Sequence, residues 1–349
     1  MEPIKPLLRK IATGQETFFK DGAFVEAYFE AKKDLQILHK EIDWEGFRPA
    51  LLAKLNFSDQ KKGGRPPFDP VYLFKIIILQ QLHGLSDDGM EARLYADRVF
   101  QHLLGIGSPK DVPDAKTLWH FKERLGDDGA RALFDTFNAQ LHAKGYQSFQ
   151  GKSVDASIVS VPVQRNSRTE NEQIKRGELP ERIAENPHVK AQKDVDARWT
   201  KKHGKSFHGY KNHIKADLKT KIIDDYAATA ANTHDSQVVE QLAQAEETIL
   251  GDSAYLGQPV AEKLEKKGAL ALIIRKRSDP LMAMEAFAAI MKIASRLRAR
   301  VEHVFGWQKQ HFRLRTIGLK RARRQIGLQN LTYNLMRFGK HLAPTLATR

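Results

Sequence analysis

The texture of the sequence changes at about residue 149, and that change constrains the fold more than any other feature. Residues 1–145 read as almost entirely helical. Phe24, Tyr28, Phe29 and Ala31 make one apolar helical face, and Leu35, Ile37 and Leu38 continue the pattern. Pro66, Pro67 and Pro70 punctuate a basic stretch, KKGGRPPFDP, before a helix that begins near Val71 and ends at His83–Gly84. Ser86 can cap the next helix, and Asp114 can start another carrying Leu118, Phe121 and Leu125 on one side. After 149 the residues alternate. KSVDASIVSVPV reads as a strand, and FHGYKNHIKADL and KIIDDYAATAAN read as a hairpin joined by Lys219–Thr220–Lys221. SQVVEQLAQA and PVAEKLEKKG then read as helices between the short strands ETILGDSAY and ALALIIRK. IASRLRARVEHVFGWQKQ and RRQIGLQNLTYNLMRFG close the chain as helices. The polar segment 164–205 lacks apolar periodicity and is expected to be a long, partly mobile loop. The pattern predicts an α+β protein: a helical region over 1–145, then a mixed sheet flanked by helices over 146–349.

The chain carries a net charge of +15 and an isoelectric point near 9.7, a field that draws polyanions but does not by itself separate DNA from RNA or an acidic membrane. There is no cysteine, which excludes disulfides, zinc ribbons and thiol catalysis. The start, MEPIKPLLRK, lacks the apolar core of a signal peptide, and no apolar run approaches the ~20 residues that span a bilayer. A cytoplasmic protein with no membrane partner is expected. Within the helical region, Lys116, His120, Lys122 and Arg124 either face DNA from a helix-turn-helix unit or form the solvated side of a scaffold.

Three acids stand in unusual surroundings. Asp155 lies inside a Val/Ile/Ser strand, where a carboxylate costs several kcal/mol to desolvate unless a cation compensates it. Asp252 follows the apolar run Ile249–Leu250–Gly251, at the end of a strand where ligands collect in open sheets. Glu302 is the single acid among thirteen Lys and Arg between 296 and 349. It is expected on one helix with Arg298 four residues before it and Lys309 seven after, which places Arg298 and Glu302 on one face and Lys309 two turns further on. Three carboxylates from three elements suit phosphoryl transfer by divalent ions, with basic residues holding the scissile strand. No phosphate-binding glycine loop or zinc-protease helix competes for the role. His234–Asp235–Ser236 reads as a helix start capped by Asp235 or Thr233, with His234 possible near the acids, because a contiguous trio does not form a nucleophilic triad. Trp199, Tyr210, Phe305 and Trp307 are open to base stacking or core packing, and Lys320, Arg321, Arg323 and Arg324 to a phosphate-contact surface or a solvated face.

The chain resembles the DDE transposases of bacterial insertion sequences, in particular the group named after insertion sequence five. The stretch GGRPPFDPVYLFKIIILQQLHGLSDDGMEARLYADRVFQHLLGI with PDAKTLWHFKERL is similar to that group's N-terminal helices, and SVDASIVSVP to its first-aspartate strand. DVDARWTKK with HGYKNHIKAD resembles the segment that follows. TAANTHDS with ILGDSAY, and SRLRARVEHVFGWQK with LTYNLMR, resemble the second-aspartate region and the glutamate helix with its tail. The resemblance implies an all-helical DNA-binding and dimerisation region ahead of an RNase H-like domain with a mixed five-stranded sheet. Asp155, Asp252 and Glu302 become its metal triad, holding two Mg²⁺ for which Mn²⁺ can substitute. Arg298 and Lys309 match the basic members of the family's Tyr–Arg–Glu–Lys signature, whereas Ser295 stands where that signature has tyrosine. The implied activity is cleavage at the element's ends followed by strand transfer into target DNA. The implied partners are double-stranded DNA, through terminal inverted repeats and target, and further copies of the chain. A nuclease on the same fold, or a non-catalytic DNA-binding regulator, shares most of these features.

Overall fold

A computed structural model describes residues 26–28, 32–55, 66–149, 151–202, 204–252, 258–274 and 279–342. The chain divides into two compact units, one of residues up to Tyr146 together with Leu331 onward, the other Gln147–Asn330.

The first unit is helical: α1 (Lys33–Lys40), α2 (Arg48–Leu55), α3 (Pro70–His83), α4 (Asp87–Ala96), α5 (Arg98–Leu104) and α6 (Ala115–Ala143). Leu35, Ile37 and Leu38 are buried as expected. Of the apolar face expected at Phe24, Tyr28, Phe29 and Ala31, only Tyr28 is among the described residues, and it is exposed. The helix starts follow side-chain chemistry. Asp69 accepts the Val71 and Tyr72 N–H groups at 2.8 and 3.2 Å ahead of α3, Ser86 accepts Gly89 N–H ahead of α4, and Asp114 accepts Thr117 N–H ahead of α6. Gly84, at φ 60°, closes α3 in the left-handed conformation. Only Lys75 and His83 of α3 escape burial, so apolar residues all round make it the helix the others pack on. Its Phe74 meets Phe47 and Trp44 in tilted and edge-on contacts, with the three ring centroids 5.0–6.3 Å apart.

The second unit holds β1 (Gly151–Ser160), α7 (Arg168–Arg176), α8 (Glu181–Ala184), α9 (Pro187–Gln192), β2 (Arg198–Lys202), β3 (Lys205–Asp217), β4 (Ile223–Ala230), α10 (Ser236–Leu242), β5 (Thr248–Gly251), α11 (Gln258–Lys266), β6 (Leu270–Ile273), α12 (Glu285–Arg298), α13 (Val301–His311) and the start of α14 (Leu319–His341). The sheet is mixed and six-stranded. β1 pairs antiparallel with β3 on one side and parallel with β5 on the other, and β6 extends the parallel edge. β2 and β4 both pair antiparallel with β3, on its first and second halves.

Two expectations are corrected here. The sheet has six strands rather than five, because part of the polar segment 164–205 forms β2, paired with β3 from Arg198↔Gly209 to Lys202↔Lys205. The rest of that segment forms α7–α9, capped by Ser167 and Asn186. Its polar composition hid this order because the segment is held by caps and by Asp194, which accepts the Tyr210 hydroxyl at 2.6 Å, rather than by an apolar stripe.

Alternation along the strands separates two faces. On one, Val154, Ala156 and Ile249 pack with Val238, Val239 and Leu242 of α10 and Val260 and Leu264 of α11. On the other, Leu250 packs with Leu218 and with Ala294 and Leu297 of α12. Among the described residues, no helix is long and apolar enough to cross a membrane.

Candidate catalytic site

The parallel register of β1 and β5 pairs Ser153 with Leu250. Two residues further along each strand come Asp155 and Asp252, on the face covered by α12, with Asp252 immediately after the last residue of β5. Continued by two residues beyond its last pair, that register would set the two aspartates level on neighbouring segments. The third acid arrives from α13, which packs against β1. Val301, Val304, Phe305 and Gln308 are the buried side of that helix, and Glu302 is exposed beside them.

The continuous helix expected across Arg298 and Glu302 is broken. α12 ends at Arg298, Ala299 and Arg300 form a turn, and α13 begins at Val301. Arg300 fixes the turn by donating to the Leu218 carbonyl at 2.8 Å. In consequence Arg298 reaches the strand: its guanidinium lies 3.1 Å from Asp155 Oδ2. Asp155 Oδ1 accepts the N–H of Ala156 at 2.7 Å. Burial pushes the Asp155 carboxyl up to about 6; the Ala156 N–H and Arg298 act against the rise, and Glu302 and Asp252 add to it. Glu302 and Asp252 thus both act electrostatically on Asp155, although no group of three His, Asp or Glu among the described residues is spaced to hold a metal ion.

The remaining sequence candidates fall in several places. Lys309 and Lys320 are exposed, Arg321 is half-buried, and Arg323 is exposed with Nε donating to the Ala228 carbonyl at 3.2 Å. Arg324 is buried, at 3% exposure, and so does not belong to the phosphate-contact surface expected of it. Lys116, His120 and Arg124 are exposed on α6. Lys122 is not: it is buried in an ion pair with Asp87 on α4 and cannot face DNA. Ser295 is exposed on α12. His234 is exposed, and its Nδ1 lies 2.6 Å from Ser236 Oγ and accepts Ser236 N–H at 3.3 Å. That imidazole takes the capping place expected of Asp235 or Thr233, while Asp235 pairs with Lys211 at 2.8 Å. Phe305 is core.

Sequence reasoning missed an interlocked set of amides. Asn212 on β3, Gln308 on α13 and Asn330 on α14 are buried and joined by four hydrogen bonds of 2.7–3.2 Å. They fix the rotation of the helix that carries Glu302. The available signal was polar side chains at positions where the periodicity demands apolar ones.

A half-buried strand aspartate thus lies within electrostatic reach of a second aspartate at the end of the neighbouring strand and of a glutamate from a late helix. Comparison with known proteins identifies the family. The model of the family described as Transposase DDE domain matches residues 150–335, and the one described as Transposase domain (DUF772) matches residues 24–124. The chain belongs to the Transposase DDE domain family. A solved structure, that of a piggyBac transposase synaptic complex with hairpin DNA, is 12% identical over 89% of this chain and 75% of that one, with a TM-score of 0.45. That likeness is too slight to bear on fold or ligand.

Proposed function

We propose that this transposase cleaves the ends of an insertion sequence of the insertion-sequence-five group and joins them to target DNA, using Asp155, Asp252 and Glu302 in an RNase H-like domain. The observation that carries the reading is the setting of Asp155: its half-buried carboxylate feels both Glu302 and Asp252, with Arg298 as the cation at contact distance. The strand order β4-β3-β1-β5-β6, with β3 antiparallel to its neighbours, supports the domain type.

The donor chemistry suits hard divalent cations, while the spacing of the three acids in this structure is not that of a closed metal site. A desolvated aspartate, a level partner and an exposed glutamate are all oxygen ligands, and Mg²⁺ completes its shell with water. Asp155, Asp252 and Glu302 would hold two Mg²⁺, or Mn²⁺ in their place, which when bound activate the attacking oxygen and stabilise the leaving one. Asp155 and Asp252, fixed by neighbouring strands, give the site its rigid part. Glu302, on a separate helix after a two-residue turn, closes it. Arg298 offsets part of the charge on Asp155 before DNA arrives and is positioned to hold a phosphate oxygen afterwards. Lys309, Lys320, Arg321 and Arg323 supply backbone contacts, and Lys116 and Arg124 serve end recognition from the helical region. Pairing two ends implies at least a dimer on double-stranded DNA.

The test incubates the full chain with a supercoiled plasmid carrying its element, with Mg²⁺ or EDTA, alongside Asp155→Ala, Asp252→Ala and Glu302→Ala. Nicks at the ends and joined products are expected, falling at least a thousandfold with each substitution and vanishing in EDTA, by analogy with other removals of an essential group. Cleavage without joining would reassign the chain to the nucleases. End binding without cleavage by the unmutated chain would make it a regulator.

A further inference from the structure

The segment expected to be a loop builds a second concavity. α7, the stretch 194–199 and β3 enclose a cleft of about 700 Å³ whose lining includes Arg168, Asn171, Lys175, Trp199, His208 and Asn232. Two features set it apart from an incidental surface hollow. Trp199 is 49% exposed although it lies on a paired strand, and its ring meets that of His208 with centroids 5.1 Å apart. His208 is itself buried, at 8% exposure, with the Pro162 and Ala197 backbone groups near its ring, yet its Nδ1 makes no hydrogen bond of good geometry. A buried polar nitrogen without a partner is costly unless something fills the place. Its neighbour Asp194 has no such vacancy, since it accepts the Tyr210 hydroxyl and the Asp196 and Ala197 N–H groups.

We propose that this cleft binds one unstacked nucleotide, its base laid on Trp199 with polar edges toward His208 and the side-chain amides, and its phosphate among Arg168 and Lys175. The chemistry matches in each part. An indole face stacks on any base. Neutral amides and an imidazole both donate and accept, as base edges require. Lys175 suits a phosphate, and Arg168 can join it by leaving its exposed pair with Glu172, an acid that also lines the cleft. Arg198 is excluded from that role, because its guanidinium donates to the carbonyls of Val195, Ala197 and Ile174. The cleft lies beyond the carboxylates along the same strand pair. Ser160 and Arg198 both pair with Gly209, five residues past Asp155 on β1, or about 17 Å. It is therefore placed to take a nucleotide of a DNA strand a short way from the scissile phosphate, an assignment that rests on the proposed cleavage activity. A free mononucleotide offers the same chemistry.

The experiment titrates the full chain, in EDTA so that no cleavage intervenes, with a short oligothymidylate, with a duplex of random sequence and with free thymidine monophosphate. Affinity is read by anisotropy of labelled DNA and by tryptophan fluorescence. Trp199→Ala is expected to weaken oligothymidylate binding roughly 5- to 150-fold, Trp199→Phe to retain most of it, and both to leave the melting temperature and duplex affinity unchanged. Quenching by the oligonucleotide that disappears in Trp199→Ala assigns the site to a DNA strand. The same pattern with free thymidine monophosphate alone assigns it to a mononucleotide. Oligothymidylate and mononucleotide affinities unchanged by Trp199→Ala would overturn the proposal. Failure of plasmid cleavage in Mg²⁺ would remove the activity and leave this binding result standing, so the two readings fail separately.

Discussion

The two faces of the sheet treat buried charge in opposite ways, and β3 shows both. Lys211, His213 and Lys215 alternate with Asn212, Ile214 and Ala216, so the first three share one face and the second three the other. On the first face the charges are answered locally. Lys215, 1% exposed, binds both oxygens of Glu247 at 2.9 and 3.0 Å, and Glu247 also accepts the Gln244 N–H. Lys211 pairs with Asp235 at 2.8 Å. On the second face Asp155 sits opposite Ile214 with Arg298 at contact distance, while burial above all, with Glu302 and Asp252 adding to it, drives its carboxyl upward. A balanced buried pair holds structure. An unbalanced acid in a similar setting costs stability, and such a cost marks a place kept for something other than folding.

The sharpest way to break this contrast is to unbalance the first face. Glu247→Ala leaves a buried ammonium without its counter-charge, and breaking one side of a buried pair typically costs about 3–5 kcal/mol. The urea midpoint should fall accordingly with its slope unchanged. Replacing the pair together, as Lys215→Met with Glu247→Leu, should recover most of the loss. If Glu247→Ala unfolds at the same urea concentration as the unmutated chain, the pair is not structural and the contrast collapses.

The contrast also separates what could be read in the sequence from what could not. The strands around Asp155 and Asp252 were legible because Val, Ile and Leu alternate or run together there, and a carboxylate interrupts them. Glu302 was legible as an acid alone among cations. Its geometry was not. Helix periodicity runs smoothly through Arg298–Ala299–Arg300–Val301, and nothing local announces a turn that is fixed by Arg300 reaching the Leu218 carbonyl, 82 residues away. Arg298 was therefore matched with Glu302, its neighbour in a single helix, when it pairs with Asp155 across the fold. Lys122 and Arg124 look alike in sequence, but one faces Asp87 in the core and the other solvent, a difference that only the packing of α4 against α6 decides. β2 escaped notice because an edge strand of Arg, Trp, Thr and Lys has no apolar face to betray it.

His213 offers a second test of the balanced face, through pH. Its ring is fully buried with Nε2 2.9 Å from Thr229 Oγ1, and burial pushes its pKa down to about 4, against the pull of Asp235 and with a small push from Lys211. The folded state therefore resists a proton that the unfolded chain accepts below its ordinary value near 6.5. The stability this neutral ring protects is fully present above pH 6.5 and is lost as pH falls toward 4, by up to about 3 kcal/mol from the pKa difference. Urea midpoints between pH 7 and 4 should fall more steeply for the unmutated chain than for His213→Gln, whose amide stays neutral and can still meet Thr229. Parallel curves would show that His213 carries no charge-linked stability.

The smallest expected effect has the opposite sign and bears most directly on the other face. At neutral pH the folded chain holds Asp155 ionised in a place where burial, Asp252 and Glu302 all favour the neutral acid. Asp155→Asn removes that charge while keeping the shape and the capacity to accept Ala156 N–H. Arg298 loses its partner but is 24% exposed and has water available, which limits the offset. Thermal unfolding in EDTA at pH 7 should therefore show the variant more stable by about 1–3 kcal/mol, with cleavage abolished. A gain in stability joined to a loss of activity is what a site held ready for cations predicts, because the electrostatic cost borne by these carboxylates is the same field that draws a divalent ion in. If Asp155→Asn instead lowers the melting temperature as Glu247→Ala does, then Asp155 and Arg298 form a structural pair like Lys215 and Glu247, the two faces are alike, and the catalytic centre must be sought elsewhere in the chain.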